Sequence, residues 1–131
     1  MAMLLQRVKD DSETFAEEPI KYVVLTVPPF WAQDERQALL DAATLAKLNV
    51  LGLMNENTAV AMKYAIDKKY NATAEHNVIF VDMGSTSVKT SLVTFKTIGE
   101  GKKAKDGLVV RAVAWDEGAG GHTIDARLAK R

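Results

Sequence analysis

Residues 78 to 95 read VIFVDMGSTSVKTSLVTF, and this stretch decides the fold of the second half of the chain. Val78 to Val81 form a continuous apolar run rich in β-branched residues, a pattern typical of a strand buried on both faces. The polar segment DMGSTS interrupts the run at Asp82, and a period of two resumes from Val88. A strand, a tight polar turn and a second strand together predict a β-hairpin.

The predicted tip of this hairpin combines one carboxylate, one glycine and three hydroxyls, contributed by Asp82, Gly84, Ser85, Thr86 and Ser87. Small residues let backbone N–H groups approach an anion closely, and hydroxyls add further donors. A carboxylate at a strand end is suited to hold a hydrated divalent cation that bound phosphates also need. The pattern therefore indicates a hairpin for phosphate and magnesium. An ordinary polar turn, which uses the same residue types, is the alternative.

Composition describes a soluble globular protein, with 47% hydrophobic and 26% charged residues among 131. The 17 basic and 17 acidic residues cancel, so no basic surplus points to a nucleic-acid or membrane partner. The chain contains no cysteine, which excludes zinc fingers of cysteine type, disulfides and thiol chemistry. No apolar stretch approaches the length of a membrane span, and the N-terminus lacks the pattern of a signal peptide.

Before the hairpin, apolar periodicity predicts alternating helices and strands: a helix over residues 3–16, a strand over Tyr22–Val27, a helix from about Asp34, a strand over Val50–Met54 and a helix over residues 59–70. Asp34 with Gln37 resembles a capping box for the second helix. Asn57 or Thr58 is the expected N-cap of the third helix. The upstream half therefore has the order of an α/β unit.

Glu56 lies where the predicted strand ends and the third helix begins. Ligand-binding groups of open α/β sheets usually occupy such positions, whereas a role in complementing the helix dipole would place a carboxylate there too. Further along, Asn71 begins an acceptor sequon for N-glycosylation. Both roles for Glu56 remain open on the residues alone.

After the hairpin, the lysine- and glycine-rich segment Lys96–Gly107 is expected to be a mobile connection, and Leu108–Trp115 a strand. Gly120 and Gly121 then precede a predicted helix that starts near His122. Glycines at a helix start are compatible with phosphate binding, or they permit close packing of helix and strand.

Three blocks in register resemble the ATPase domain of the seventy-kilodalton heat-shock chaperones: residues 24–69, VIFVDMGSTS at 78–87 and AWDEGAGGHTID at 114–125. The resemblance covers nearly the whole chain from about Leu4. Pro28-Pro29, the NENTAV segment at Asn55–Val60 and the DMGS start of the hairpin favour the large endoplasmic-reticulum branch, the hypoxia up-regulated or 170-kilodalton glucose-regulated chaperones.

This resemblance implies an α/β fold, part of an actin-like, ribonuclease-H-like ATPase in which ATP lies between two lobes. Residues 1–69 are then the later part of lobe one, 70–77 a connecting loop and 78–131 the first part of lobe two. The first phosphate hairpin and the adenosine-binding segment fall outside these 131 residues. The chain alone is therefore expected to bind ATP weakly or not at all, to be inactive and to self-associate.

The resemblance also implies residue roles, with ATP or ADP and magnesium as cofactors of the parent protein. Nucleotide contacts fall to the tip and the later glycines, namely Gly84, Ser85, Thr86, Ser87, Gly120 and Gly121. Glu56 and Asp82 are the implied catalytic residues, facing magnesium and the attacking water, with Asp82 reaching the metal through water. Phosphoryl transfer needs positioning and charge stabilisation, so these residues orient groups without forming covalent intermediates.

Localisation in the endoplasmic reticulum lumen follows from the same branch, with glycosylation of Asn71. The implied partners of the full-length protein are unfolded polypeptides and the ordinary lumenal heat-shock chaperone, for which it acts as nucleotide-exchange partner. Three departures favour nucleotide binding with slow turnover. Only Gly84 remains of three loop glycines, Asn57 replaces a proline, and Lys89 replaces an acidic residue that helps hold a monovalent cation.

Two alternatives remain at this stage. Asp82 to Thr86 with Lys89 also resembles the first phosphate loop of sugar and acetate kinases of the same fold, although that loop belongs near an N-terminus. The second alternative is a non-hydrolysing nucleotide-sensing module whose cleft sets a shape that a partner chaperone reads.

Overall fold

A computed structural model describes residues 1–68, 74–99 and 105–130 of the chain. In chain order these residues form α1 (Ala2–Ala16), β1 (Tyr22–Val27), α2 (Gln33–Leu45), β2 (Asn49–Asn55), α3 (Glu56–Lys68), β3 (His76–Met83), β4 (Val88–Ile98), β5 (Lys105–Asp116) and α4 (Gly121–Ala129). The contacts divide the chain into two compact units, Met1–Glu56 and Asn57–Arg131. None of the described helices is both long and apolar enough to cross a bilayer.

The first unit contains a β–α–β arrangement in which β1 and β2 pair in parallel. Tyr22 lies opposite Asn49, and Val27 lies opposite Asn55. Parallel neighbours need a crossover connection, and α2 provides it. The buried core of this unit consists of Ala43, Ala46 and Leu48, against which Leu5, Val23, Leu25 and Val50 pack. The predicted order of helix, strand, helix and strand is therefore confirmed.

The start of α2 differs from the sequence prediction by a few residues. Its N-cap is Ala32, and the Glu35 carboxylate accepts a hydrogen bond from the Ala32 N–H. The capping box predicted at Asp34 and Gln37 is therefore wrong. Ala32 is the last residue with extended backbone, so the acidic residue three positions after it reaches back to its N–H.

The second unit is built on an antiparallel sheet with the strand order β3-β4-β5. Val78 of β3 lies opposite Val93 of β4, and Asp82 lies opposite Lys89. Val93 also faces Val110 of β5, next to an irregularity in the register of that pair. The predicted hairpin is thus confirmed, with β4 in the centre of the sheet.

The connection predicted over Lys96–Gly107 is shorter than expected. Strand β4 continues to Ile98 and β5 already begins at Lys105, so both ends of the predicted loop are strand. Residues 100–104 lie outside the described ranges. Lysine and glycine lower strand propensity, but cross-strand pairing overrides a weak local preference.

Helix α3 covers one face of this sheet. Ala61, Val93 and Phe95 are buried together, and Tyr64 packs against them. The rings of Tyr64 and Phe80 meet edge to face with centroids 5.4 Å apart, a favoured arrangement of aromatic pairs. This cluster fixes α3 on the face of β4 that carries its odd-numbered residues.

The opposite face of β3 is exposed among the described residues. Ile79 is 68% exposed and Val81 is 66% exposed, whereas Val78 and Phe80 pack towards α3. The prediction that Val78–Val81 is buried on both faces is therefore wrong for this unit. A continuous apolar run predicts a strand correctly, but it does not show how many faces are covered.

Candidate functional site

The turn between β3 and β4 consists of Gly84, Ser85, Thr86 and Ser87. The Gly84 N–H donates a hydrogen bond of 2.9 Å to the Ser87 carbonyl and closes the turn. Within the described ranges, the N–H groups of Ser85, Thr86 and Ser87 donate no backbone hydrogen bond. Ser85 and Thr86 are exposed, so their amides and hydroxyls remain as donors at the tip, which suits an anion such as phosphate. Ser87 is only 7% exposed, and its nitrogen lies beside Gly120.

The N-terminus of α4 docks directly onto this turn. The Gly121 N–H donates to the Gly84 carbonyl at 3.0 Å, and the His122 N–H donates to the Ser85 carbonyl at 2.8 Å. The first amides of a helix have no partner within the helix, and here the turn satisfies two of them. The structure thus brings the predicted hairpin residues and the predicted glycines together. The two amides named here are engaged with the turn and orient it.

Gly120 allows this close approach. Its φ of −174° is extended backbone, which any residue adopts. A Cβ atom at this position would overlap the Ser85 carbonyl oxygen and lie 2.9 Å from the Ser87 nitrogen. At Gly121 a Cβ atom would meet the Gly84 oxygen at 3.8 Å, an ordinary contact. Space, and not backbone conformation, therefore requires glycine at position 120.

An ion pair lies at the base of the turn. The Lys89 Nζ is 3.0 Å from Asp82 Oδ2, and the two residues face each other across the strands. The Lys89 side chain is 9% exposed, whereas that of Asp82 is 43% exposed. Asp82 therefore neutralises a buried ammonium with one edge of its carboxylate, and it keeps part of its surface open to solvent.

Magnesium fits this arrangement only through water and phosphate. Among the described residues, no cluster of three or more histidine, cysteine or acidic side chains offers a metal site. Magnesium keeps several water ligands and is commonly held by one or two carboxylates together with substrate phosphates. The exposed part of the Asp82 carboxylate, beside the donors of the turn, meets that requirement.

A buried polar pair lies further along the same face of β4. Asn57 is 3% exposed, and its Nδ2 donates to Ser91 Oγ at a long 3.4 Å. Its Oδ1 has no hydrogen-bond partner within the described part of the chain. The prediction of an N-cap at Asn57 or Thr58 is wrong, because α3 already begins at Glu56. The sequence contained a clue to this polar pair. Alternate residues of β4 are buried, and this alternation places the polar residues Lys89 and Ser91 on the buried face of the strand.

Two predicted site residues are not brought to the hairpin by the described geometry. Glu56 is half-buried in the first turn of α3 and belongs to the unit Met1–Glu56, so its position relative to Asp82 stays a prediction. Asn71 lies outside the described residues, and its glycosylation stays a prediction as well.

The parallel unit and the antiparallel sheet with its docked turn agree with part of an actin-like ATPase fold. Comparison with known proteins shows that the chain belongs to the Hsp70 family, because the family model described as Hsp70 protein matches residues 1–131. The predictions of family and fold class are therefore confirmed.

Individual relatives cover almost the whole chain. It is 46% identical to hypoxia up-regulated protein 1 of Xenopus laevis over 98% of its length, and 42% identical to hypoxia up-regulated protein 1 of Homo sapiens over 100%. Heat shock 70 kDa protein 17 of Arabidopsis thaliana is 39% identical over 98%. The chain spans only 20%, 13% and 15% of these relatives, respectively.

Proposed function

We propose that the full-length protein is an ATP-binding chaperone and that this chain supplies one phosphate-binding hairpin of its nucleotide site. The observation that carries the proposal is the turn at Gly84–Ser87. The amides of its exposed residues Ser85 and Thr86 donate no backbone hydrogen bond, while the Gly84 and Ser85 carbonyls hold α4. A turn with exposed donors and engaged acceptors is suited to an anion. Membership of the Hsp70 family supports a nucleoside triphosphate as the source of that anion.

In this proposal the chain mainly orients the nucleotide. Ser85, Thr86 and Ser87 donate to phosphate oxygens through their amides and hydroxyls. Asp82 holds a water ligand of magnesium, and Glu56 orients the attacking water. Bound magnesium supplies the positive charge that phosphoryl transfer requires at the phosphate oxygens.

Gly120 and Gly121 support the nucleotide site by holding α4 against the turn. In the lobe assignment that we propose, residues 1–69 belong to lobe one, 70–77 connect the lobes and 78–131 belong to lobe two. The lobe-two part contributes the turn, and the lobe-one part contributes Glu56.

Slow hydrolysis is part of the proposal. The turn has one glycine, Gly84, and Thr86 adds a branched side chain where phosphate must approach. Donors that hold phosphate at a greater distance stabilise the charge of the transition state less. Nucleotide binding with low turnover therefore fits the residues of the tip.

We further propose that the full-length protein works in the endoplasmic reticulum lumen on unfolded polypeptides and promotes nucleotide exchange on the ordinary lumenal chaperone. Two relatives that carry the name hypoxia up-regulated protein 1, and the sequon at Asn71, support this assignment. Measuring ADP release from the ordinary lumenal chaperone, with and without the full-length protein, tests the exchange role. An unchanged release rate contradicts it.

The phosphate site itself is tested by placing a negative charge on the tip. Thr86 is exposed, so Thr86→Glu changes the charge with little effect on the core, and Thr86→Gln is its uncharged match in size. At roughly 6 Å and an effective dielectric constant of about 20, one added charge costs about 3 kcal/mol against a bound phosphate charge. That corresponds to roughly 100-fold weaker binding.

Isothermal titration of the full-length variants with ATP and magnesium measures this difference. We expect T86Q, which loses the Thr86 hydroxyl, to bind up to about tenfold more weakly than the wild type, and T86E to bind roughly 100-fold more weakly than T86Q. Equal affinities for T86E and T86Q would place the phosphates elsewhere, and a wild type without ATP affinity would remove the proposed function altogether.

A further inference from the structure

Lys89 is the one charged residue that is buried in the described part of the chain. Its side chain is 9% exposed, and lysine is almost never buried to this extent without an anionic partner. Asp82 is such a partner at 3.0 Å, on the neighbouring strand and directly opposite in the register. The hairpin therefore holds a fixed positive charge that solvent barely reaches.

The position of this charge relates it to the turn. Side chains two residues apart on a strand point to the same face, so Lys89 lies on the side of the sheet that also carries the buried Ser91. Its partner Asp82 is two residues before the first residue of the turn, Gly84. The cation is thus attached to the base of the loop that carries the exposed residues Ser85 and Thr86.

A carboxylate beside a phosphate site creates a need for positive charge. Magnesium held through water would offset part of the repulsion between Asp82 and the phosphates. Without Lys89, the remaining repulsion would persist or would recruit a monovalent cation from solution. A tethered ammonium meets that need permanently, since it loses no translational freedom when the ligand binds. It also remains effective at high salt, because buried pairs are screened much less than exposed ones.

We propose that Lys89 is the built-in monovalent cation of the phosphate hairpin, and that nucleotide binding therefore does not depend on potassium or sodium from solution. The inference rests on the proposed function, because it concerns the same nucleotide site. Lys89 is a positioning residue in this proposal, because it acts by holding Asp82 and the base of the turn in place.

The experiment measures the ATP dissociation constant of the full-length protein with magnesium in potassium chloride, sodium chloride and choline chloride at equal ionic strength. The ATP dissociation constant of the wild type is expected to change less than twofold among the three salts. Lys89→Ala is expected to lose at least about tenfold in affinity in choline chloride. Potassium or methylammonium, which are small enough to enter the vacated space, should restore most of that loss.

The matched control is Lys96→Ala on the same strand. Lys96 Nζ is 3.4 Å from Glu75 Oε1 in a more exposed ion pair at the other end of β4. K96A should bind ATP like the wild type in all three salts. Lys89→Arg, which keeps the charge, should remain insensitive to the salt, and this separates loss of charge from loss of fold.

The outcomes distinguish the inference from the proposed function. A wild type that binds ATP but loses affinity in choline chloride overturns the inference and leaves the proposed function standing. The inference is also overturned if K89A binds ATP as tightly as the wild type in every salt. It is likewise overturned if no cation restores the ATP affinity of K89A although its thermal unfolding matches that of K89R. A wild type that binds no ATP in any salt removes both.

Discussion

The contact between Gly120 and the hairpin turn leads to a quantitative prediction for Gly120→Ala. The added methyl group would overlap the Ser85 carbonyl and press on the Ser87 nitrogen at 2.9 Å, so the first turn of α4 must move away. The two hydrogen bonds from Gly121 and His122 are then lost or stretched. At about 1 kcal/mol for each bond and about 1–3 kcal/mol for overpacking, the local cost is about 3–5 kcal/mol.

Hydrogen exchange of the full-length protein measures this cost where it arises. If the Gly121 and His122 amides exchange through local opening, a cost of 3–5 kcal/mol corresponds to roughly 100- to 4,000-fold faster exchange, at tenfold for about every 1.4 kcal/mol. Gly121→Ala is the neighbouring control, since its methyl group finds room at 3.8 Å. Exchange in G120A that equals the wild type or G121A would refute the close-packing argument.

Three further predictions concern the core, the buried amide and the exposed strand. Phe95→Ala should lower the free energy of unfolding of the second unit by about 3–5 kcal/mol in urea titrations, because it empties the cluster around Tyr64; a loss below about 1 kcal/mol would contradict it. Asn57→Ala should cost less than about 1 kcal/mol in the same assay despite its burial, since it removes one unpartnered acceptor and one 3.4 Å bond to Ser91. The 131-residue chain should self-associate in sedimentation velocity, and Val81→Lys on the exposed face of the edge strand β3 should shift it towards monomer; a strictly monomeric wild type would exclude this.

The sequence predicts the elements of this fold well because their periodicity is strong. The run from Val78 and the alternation after Val88 define the hairpin, and the length of its turn sets the pairing of Asp82 with Lys89. The predicted helix and strand order of the first unit holds for the same reason. Patterns of this kind depend only on residues that are close together in the sequence.

The remaining features are not determined by the apolar periodicity of the sequence. The cap of α2 lies at Ala32, because the point where the backbone leaves its extended conformation decides which acidic residue reaches back. The exposed face of Ile79 follows from what packs on the sheet, which an apolar run does not specify. The contact of Gly120 with the turn joins segments more than thirty residues apart, and no local pattern encodes it.

The bonds between the turn and α4 also have a mechanical consequence. Because Gly84 and Ser85 hold the first amides of the helix, a ligand that displaces the turn pulls the helix with it. Such a displacement would also move Ile124 and Leu128 of α4, which are 49% and 63% exposed. A shift of the polar turn would thus be passed on to an exposed apolar surface of α4, where a neighbouring molecule would meet it.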